Sequence, residues 1–166
     1  MVSLLDLPAT ILSAAGIAIR SSIRGNPLQK LMGSRQPSGW PEEVFLQISE
    51  SQCGRAIRTK RWKYSVRAPE KSGQDPSSDR YVEELLYDLE ADPHERNNLV
   101  SDPAFSGIRL ELSATLKRRM VEAGEQEPEI VANLRKLNNS SKRNKALSPF
   151  HYSSSWCRIM DKASIE

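Results

Sequence analysis

The chain has 166 residues, of which 38% are hydrophobic and 6% aromatic, and its formal net charge is +3 at pH 7. This length fits one domain with a modest core, and so small a net charge gives no reason to expect a nucleic-acid-binding protein. The charge is unevenly placed, since residues 131–166 hold seven basic and two acidic side chains. We expect that basic end to be solvated and flexible.

Two cysteines, Cys53 and Cys157, stand far apart in the sequence. Their spacing matches neither a metal-ligand pattern nor a disulfide framework, so we expect two free thiols. No apolar run reaches the ~18 residues that a membrane-spanning helix needs. The first residues also lack the basic start of a secretory signal. The sequence therefore predicts no transmembrane segment and leaves the cellular location open.

One amphipathic helix is predicted within residues 1–20. Ser3 can cap it, although Pro8 favours a start of the regular helix nearer Asp6, and Gly16 can end it. Its apolar residues recur near the helical period, at Leu4, Leu7, Ile11, Leu12 and Ala15. Residues 21–42 form a connector rich in Gly and Pro, which supplies no partner surface for that stripe. We therefore expect the helix to expose apolar area.

A small antiparallel sheet of about four strands is predicted next. Val44, Leu46 and Ile48 alternate along the first strand and are expected to share one face that lines the core. The other strands are expected at residues 56–59, 62–66 and 84–89, with a hairpin turn at Lys60 and Arg61 between the second and the third.

The last predicted elements are helical. A helix that begins at about residue 104 or 106 and runs to residue 123 should cover the sheet with the stripe Ile108, Leu112, Leu116 and Met120, and Gly124 should end it. Residues 129–137 could add a short helix. From residue 138 onward, low complexity and charge predict disorder. The predicted fold class is therefore α+β.

Three segments in a constrained order carry a family resemblance: GRAIRT at 54–59, RWKY at 61–64 and LYDLEADPHERNNL at 86–99. They resemble the C-terminal subdomain of the sulfatases, metal-dependent sulfuric-ester hydrolases of the alkaline-phosphatase superfamily. The opening residues 2–17 resemble the segment that ends the larger α/β sulfatase domain. The resemblance covers about residues 2–124 and does not include the catalytic half of the family.

This resemblance implies a division of the chain. Residues 1–20 would be the terminal helix of the large domain, 21–42 a linker, 43–124 the C-terminal subdomain, and 125–166 a short helix with a disordered basic tail. The whole enzyme would hydrolyse the sulfate ester of a small molecule or carbohydrate. Sulfatases use a formylglycine made from Cys or Ser together with calcium or magnesium, and they are often periplasmic, secreted or lysosomal.

The formylglycine motif is a Cys or Ser with Pro or Ala two residues later and Arg four residues later. It is not met at Cys53 or Cys157, nor at Ser101, where Phe105 stands in the place of the Arg. The acidic residues are scattered rather than convergent, as a hard dication would require. We therefore expect a chain that is inactive alone, with no catalytic residue, metal ligand or cofactor. Asp92 and His94 could form an acid–base group, but the resemblance favours a structural turn.

A substrate-binding role is predicted for Glu50, Gln52 and Arg55, because the small sheet of sulfatases docks beside the mouth of the active site. The basic residues between 55 and 63 are either a solvated face or a sulfate-binding one. Two other interpretations stay open. The chain could be a stand-alone interaction module that binds or self-associates through its apolar N-terminal helix and basic tail, or a product without a function of its own.

Overall fold

The computed structural model describes residues 1–33 and 37–133. Its helices are α1 (Asp6–Ala14) and α2 (Ser106–Glu122), with 3-10 turns at Leu28–Leu31 and Pro103–Phe105. Its strands are β1 (Val44–Ile48), β2 (Gly54–Arg58), β3 (Trp62–Arg67), β4 (Arg80–Asp88) and β5 (Glu129–Val131). The predicted α+β class is confirmed. The predicted disordered tail and Cys157 lie outside the described residues.

One five-stranded sheet has the order β1-β2-β3-β4-β5. The first four strands form the predicted antiparallel meander. The fifth strand is a correction, because Glu129–Val131 pairs in parallel with β4 where we predicted the start of a helix. A segment of three residues is too short to show a hydrophobic period. It is extended because it pairs with the free edge of β4, which no local pattern in the sequence reveals.

The hairpin between β2 and β3 turns at Lys60 and Arg61, as predicted. Thr59 takes the place of the glycine or asparagine that such turns usually contain. Its amide donates to the Trp62 carbonyl at 2.8 Å, and its hydroxyl accepts from the Trp62 amide at 2.8 Å. A threonine side chain thus closes the turn without a residue of positive φ.

The register of the strands determines which side chains lie together on the inner face of the sheet. Phe45 lies opposite Ile57, Ile57 opposite Tyr64, and Tyr64 opposite Leu86. The predicted core face of β1 is therefore wrong, since Phe45 packs on the core while Leu46 is 39% exposed. Both faces of β1 carry large apolar side chains, so alternation alone could not choose between them.

Helix α2 covers this face through Leu112, Leu116 and Met120, which are buried as predicted. At its start, the Phe105 ring meets the half-buried Trp62 ring edge-on, with centroids 5.9 Å apart. Among the largest fully buried side chains are Tyr64, Tyr81, Ile57 and Leu86. The sheet and one helix therefore form a single two-layer core.

A bulge interrupts β4, because Ser65 pairs with Leu85 and Val66 pairs with Glu83, so that Glu84 is the extra residue. Asn98 satisfies the backbone there. Its Oδ1 accepts from the Leu86 amide and its Nδ2 donates to the Glu84 carbonyl, both at 3.0 Å. Asn98, which belongs to the sulfatase-like segment, therefore supplies hydrogen bonds to the part of the β4 edge that β5 does not cover.

Helix α1 starts at Asp6, the start that Pro8 favoured, and Leu5 precedes it without a side-chain cap, so the predicted Ser3 cap is wrong. Asp6 is buried instead, and its carboxylate accepts from the amides of Ser3 at 2.7 Å and Asn26 at 2.8 Å. Thr10 extends this contact by accepting from the Leu28 amide at 2.9 Å. The connector therefore docks on the polar side of α1.

The apolar side of α1 faces outward, as predicted. Ile11 is 67% exposed and Leu7 is exposed as well, as are Leu4 just before the helix, at 81%, and Ile17 just after it. The connector backbone lies close to the start of the helix, since a Cβ at Gly25 would be 1.8 Å from the Leu5 carbonyl oxygen. In the described part of the chain, no helix has both the length and the hydropathy to cross a membrane.

Candidate functional site

A cleft of about 340 Å³ lies where the β1–β2 turn meets the loop between β3 and β4. Its polar lining comes from Gln47, Glu50, Arg55, Gln74 and Asp75. Glu50 stands at the turn with a φ of +65°, which is uncommon for a residue with a side chain. The Glu50 amide donates to the Gly73 carbonyl at 2.8 Å, and this bond joins the two walls.

Gly73 is required for that junction. A Cβ at this position would lie 2.1 Å from the carbonyl oxygen of Glu50, far inside van der Waals contact. Next to it, the Asp75 carboxylate accepts from the Ser72 amide at 2.8 Å and from its hydroxyl at 2.9 Å. These bonds from Ser72, the amide foremost, lower the pKa of Asp75 and fix the position of the negative charge on this wall.

Arg55 projects from β2 on the same face as Ile57 and is only 2% exposed. Its guanidinium donates to three acceptors: Nε to Glu125 Oε1 at 2.7 Å, Nη1 to the Gly54 carbonyl at 2.7 Å, and Nη2 to the Pro76 carbonyl at 2.5 Å. Arg55 therefore ties the loop wall of the cleft to the sheet and to the end of α2.

Glu125 is held in place by the end of α2. Gly124 has a φ of +96°, and the amides of Gly124 and Glu125 donate to the carbonyls of Val121 at 2.9 Å and Met120 at 3.0 Å. This is the glycine-terminated helix end that was predicted. Glu125 Oε1 also accepts from Gln47 Nε2 at 3.0 Å, while Oε2 is buried and has no hydrogen-bond partner among the described residues.

Behind Arg55 lies the buried ring of Tyr81, whose centroid is 5.8 Å from the guanidinium carbon. The Tyr81 hydroxyl accepts from the Ser78 amide at 3.0 Å and lies 3.8 Å from Cys53 Sγ. Burial is the main cause that raises the pKa of Tyr81 to about 12. Cys53 is 1% exposed, so its thiol packs in the core and does not reach the cleft surface.

Two of the three predicted substrate-binding residues, Glu50 and Arg55, line this cleft together. The third, Gln52, donates from Nε2 to Glu84 Oε2 at 3.2 Å. The lining residues Gln47, Gln74 and Asp75 were not predicted from the sequence. The Ser-Gly-Gln-Asp-Pro run at residues 72–76 is the signal that could have found the last two, because it marks a tight turn in a long connection.

The basic residues between 55 and 63 are largely neutralised. Arg61 forms an ion pair of 2.8 Å with Asp88, and Lys63 pairs with Glu95. The hydrogen bond from Arg61 lowers the pKa of Asp88. With Arg55 bound to Glu125, three of the five cations have acidic partners. This arrangement favours a solvated, internally paired face over a sulfate-binding one.

The turn around Asp92 is structural. The Asp92 amide donates to the Asp88 carbonyl at 2.7 Å, and its Oδ2 accepts from the Asn97 amide at 2.7 Å. His94 is exposed beside them. Across the described ranges, no three His, Cys, Asp or Glu side chains lie close enough together to hold a metal ion. These residues therefore do not fit the calcium or magnesium centre of a sulfatase.

Comparisons with known proteins agree with the sulfatase resemblance. A family model described as N-sulphoglucosamine sulphohydrolase, C-terminal, matches residues 1–126. The ulvan-active sulfatase of Formosa agariphila is 27% identical over 151 residues, which are 87% of this chain and 27% of that protein. The Δ4,5-hexuronate-2-O-sulfatase of Bacteroides thetaiotaomicron is 35% identical over 120 residues, covering 68% of this chain and 22% of that protein.

The fold matches as well. The structure of a 2-O GAG sulfatase superposes with a TM-score of 0.58 at 26% identity, over 80% of this chain and 28% of that one. The chain spans about a quarter of the length of the curated relatives it matches. The family match covers three quarters of the chain and includes α1, the sheet and α2. The chain belongs to the N-sulphoglucosamine sulphohydrolase C-terminal family, the C-terminal domain of sulfatases.

Proposed function

We propose that this domain serves an enzyme that hydrolyses sulfate esters of carbohydrates, and that it forms part of the substrate-binding surface. The family match over residues 1–126 carries this proposal. The names of two relatives specify an ulvan-active sulfatase and a hexuronate-2-O-sulfatase, which are enzymes of sulfated carbohydrates. This match favours a sulfatase role over that of a stand-alone interaction module.

The chemical step would lie with other residues of that enzyme. A formylglycine and a calcium or magnesium ion would supply the nucleophile and the positive charge that a sulfate ester requires. The described residues of this chain converge on no such centre. We therefore assign the domain a binding and positioning role.

The helix α1 is proposed to pack on the catalytic domain. Its polar side is already occupied by the connector through Asp6 and Thr10. Its apolar side presents Leu4, Leu7 and Ile11 to solvent. Burying side chains of this size yields roughly 1.5–3 kcal/mol each. Residues 1–20 would thus belong to the large domain, 21–42 would link, and 43–124 would form the C-terminal subdomain.

Within that subdomain, the β1–β2 turn is the part proposed to meet the substrate. Glu50 is exposed on the cleft and could contact a sugar hydroxyl directly. Arg55 is a positioning residue in this proposal, because its donors already hold Gly54, Pro76 and Glu125. Gln52 would support the turn through its bond to Glu84.

A fusion protein tests the proposed function. All 166 residues would replace the matching segment of the Bacteroides hexuronate sulfatase, and sulfate release from a 2-O-sulfated unsaturated disaccharide would be measured. We expect release by the fusion, and none by the truncated sulfatase or by this chain alone with calcium or magnesium. A folded fusion that releases no more sulfate than the truncated sulfatase would contradict the proposal.

A further inference from the structure

The charges of the cleft indicate which part of a substrate it could accept. Glu50 and Asp75 line it with two carboxylates, and Gln47 and Gln74 add side-chain amides. Asp75 is ionised at neutral pH as an aspartate ordinarily is, and the hydrogen bonds from Ser72 hold its pKa below the usual range. The lining therefore offers acceptors and amides rather than free cations.

Arg55 does not offset this charge. The Glu125 carboxylate neutralises its guanidinium at 2.7 Å, and the Pro76 and Gly54 carbonyls take two further donors. Lys71 stands two residues before Gly73 and is exposed, and its charge acts on Asp75 from outside the lining. The lining itself holds two carboxylates and one arginine, and the charges of Glu125 and Lys71, both outside it, are opposite. A sulfate group entering the cleft would meet net negative charge.

Glu125 holds two of the lining side chains, Arg55 and Gln47, from behind this wall. Its Oε1 is saturated by Arg55 and Gln47, whereas its Oε2 is buried without a partner among the described residues. Because Oε2 is buried and Glu125 is not among the lining residues, the carboxylates that the cleft offers to a ligand are those of Glu50 and Asp75. Side-chain amides and carboxylates are also suited to bind hydroxyl groups of sugars.

We propose that the cleft between the β1–β2 turn and the Gly73–Pro76 loop is a subsite for an unsulfated, hydroxyl-rich sugar ring and excludes the sulfate group. This inference rests on the proposed function for its substrate class. It assigns the cleft to a sugar residue that neighbours the one carrying the reacting sulfate. Glu50 and Asp75 are then specificity-determining residues, since they repel a sulfate at this position.

Three probes of one ring shape separate charge from shape: D-glucosamine, N-acetyl-D-glucosamine and N-acetyl-D-glucosamine 6-sulfate. Each would be titrated at pH 6.5 into the ¹⁵N-labelled full chain, and amide shifts of residues 47–50 and 73–75 would give the Kd. We expect the neutral and cationic probes to shift these amides. The sulfated probe should bind at least about fivefold more weakly, the factor that corresponds to one unscreened charge pair near 4 Å in water.

Substitutions test whether the carboxylates of the cleft cause the weaker binding of the sulfated probe. The double substitution Glu50→Gln with Asp75→Asn should remove the discrimination against the sulfated probe. Glu70→Gln removes a charge from the same loop outside the cleft lining and should leave the order of affinities unchanged. If Glu70→Gln abolished the discrimination against the sulfated probe as fully as the double substitution does, the overall negative charge of the loop would be the cause. The subsite in the cleft would then be refuted.

Two further results would overturn the inference: tighter binding of the sulfated probe, or cleft amides that respond to none of the three. Neither depends on sulfate release by the fusion protein. An active fusion with an unresponsive cleft would leave the proposed function standing and remove the subsite. If the cleft amides responded as expected but the fusion released no sulfate, the subsite would stand and the proposed function would be removed.

Discussion

Arg55 Nε donates to Glu125 Oε1 at 2.7 Å, and this buried ion pair joins the second strand to the residue that follows α2. Each partner has a further role in the cleft, since Arg55 holds the Pro76 carbonyl and Glu125 accepts from Gln47. The pair therefore connects the packing of α2 on the sheet with the shape of the cleft.

Glu125→Ala should destabilise the protein by roughly 3–5 kcal/mol, because it leaves the buried Arg55 charge without its acidic partner. Glu122→Ala is the matched control, since Glu122 pairs with Arg118 and Arg119 on the exposed side of α2. It should cost less than about 1 kcal/mol. Urea unfolding of both variants measures the difference, and equal costs would show that the Arg55–Glu125 pair is not anchored as described.

Gly73→Ala should destabilise the protein and disturb the cleft, because the new Cβ would clash with the Glu50 carbonyl at 2.1 Å. Gly107→Ala is the control. A Cβ at Gly107 meets nothing within 4 Å, so this change in the first turn of α2 should stabilise by about 0.5–1 kcal/mol. Thermal unfolding should thus give shifts of opposite sign. A stabilising Gly73→Ala would mean that the loop does not close on Glu50.

Trp62→Ala should cost about 3 kcal/mol, near the lower end for a large aromatic, because the ring is half-buried against Phe105. His94→Ala should cost well under ~1 kcal/mol, since His94 is exposed on the Asp92 turn. Chemical denaturation of the two variants compares these positions. The reverse order of costs would refute the packing of β3 described here.

Alkaline pH should weaken the fold through Tyr81. Burial, the main cause, raises the pKa of Tyr81 to about 12, so folding favours the neutral phenol. The unfolded chain releases this proton near pH 10. The stabilisation is therefore complete below about pH 10 and is lost as the pH rises toward 12. Unfolding free energies between pH 9 and 11 should fall, and Tyr81→Phe should make the decline shallower; an unchanged slope would contradict this role of Tyr81.

Long periodic segments were predictable from the sequence, and positions that depend on a distant partner were not. The stripe Leu112, Leu116 and Met120 repeats over several turns, and the structure buries it. The face of β1 depends on the register of Phe45 with Ile57, which no local pattern contains. The strand Glu129–Val131 exists because the edge of β4 is free to pair with it.

The same distinction applies to the candidate site. Glu50 and Arg55 were predicted from a family resemblance and lie on one cleft. The opposite wall could not be predicted, because the contact of Gly73 with Glu50 joins residues of a turn and a loop that are separated by two strands. The ion pair that occupies Arg55 likewise requires the position of Glu125 after α2.

Hydrogen exchange across α1 tests the proposed arrangement most directly. A nine-residue helix is marginal in water, and the apolar side of this one is exposed. We predict that the amides of residues 9–14 exchange much faster than those of Val44–Ile48 in the monomeric chain, and that they become protected in the fusion with the catalytic part of the Bacteroides hexuronate sulfatase. Protection in the isolated chain equal to that of Val44–Ile48, with no gain in the fusion, would contradict the docking of α1 on a catalytic domain.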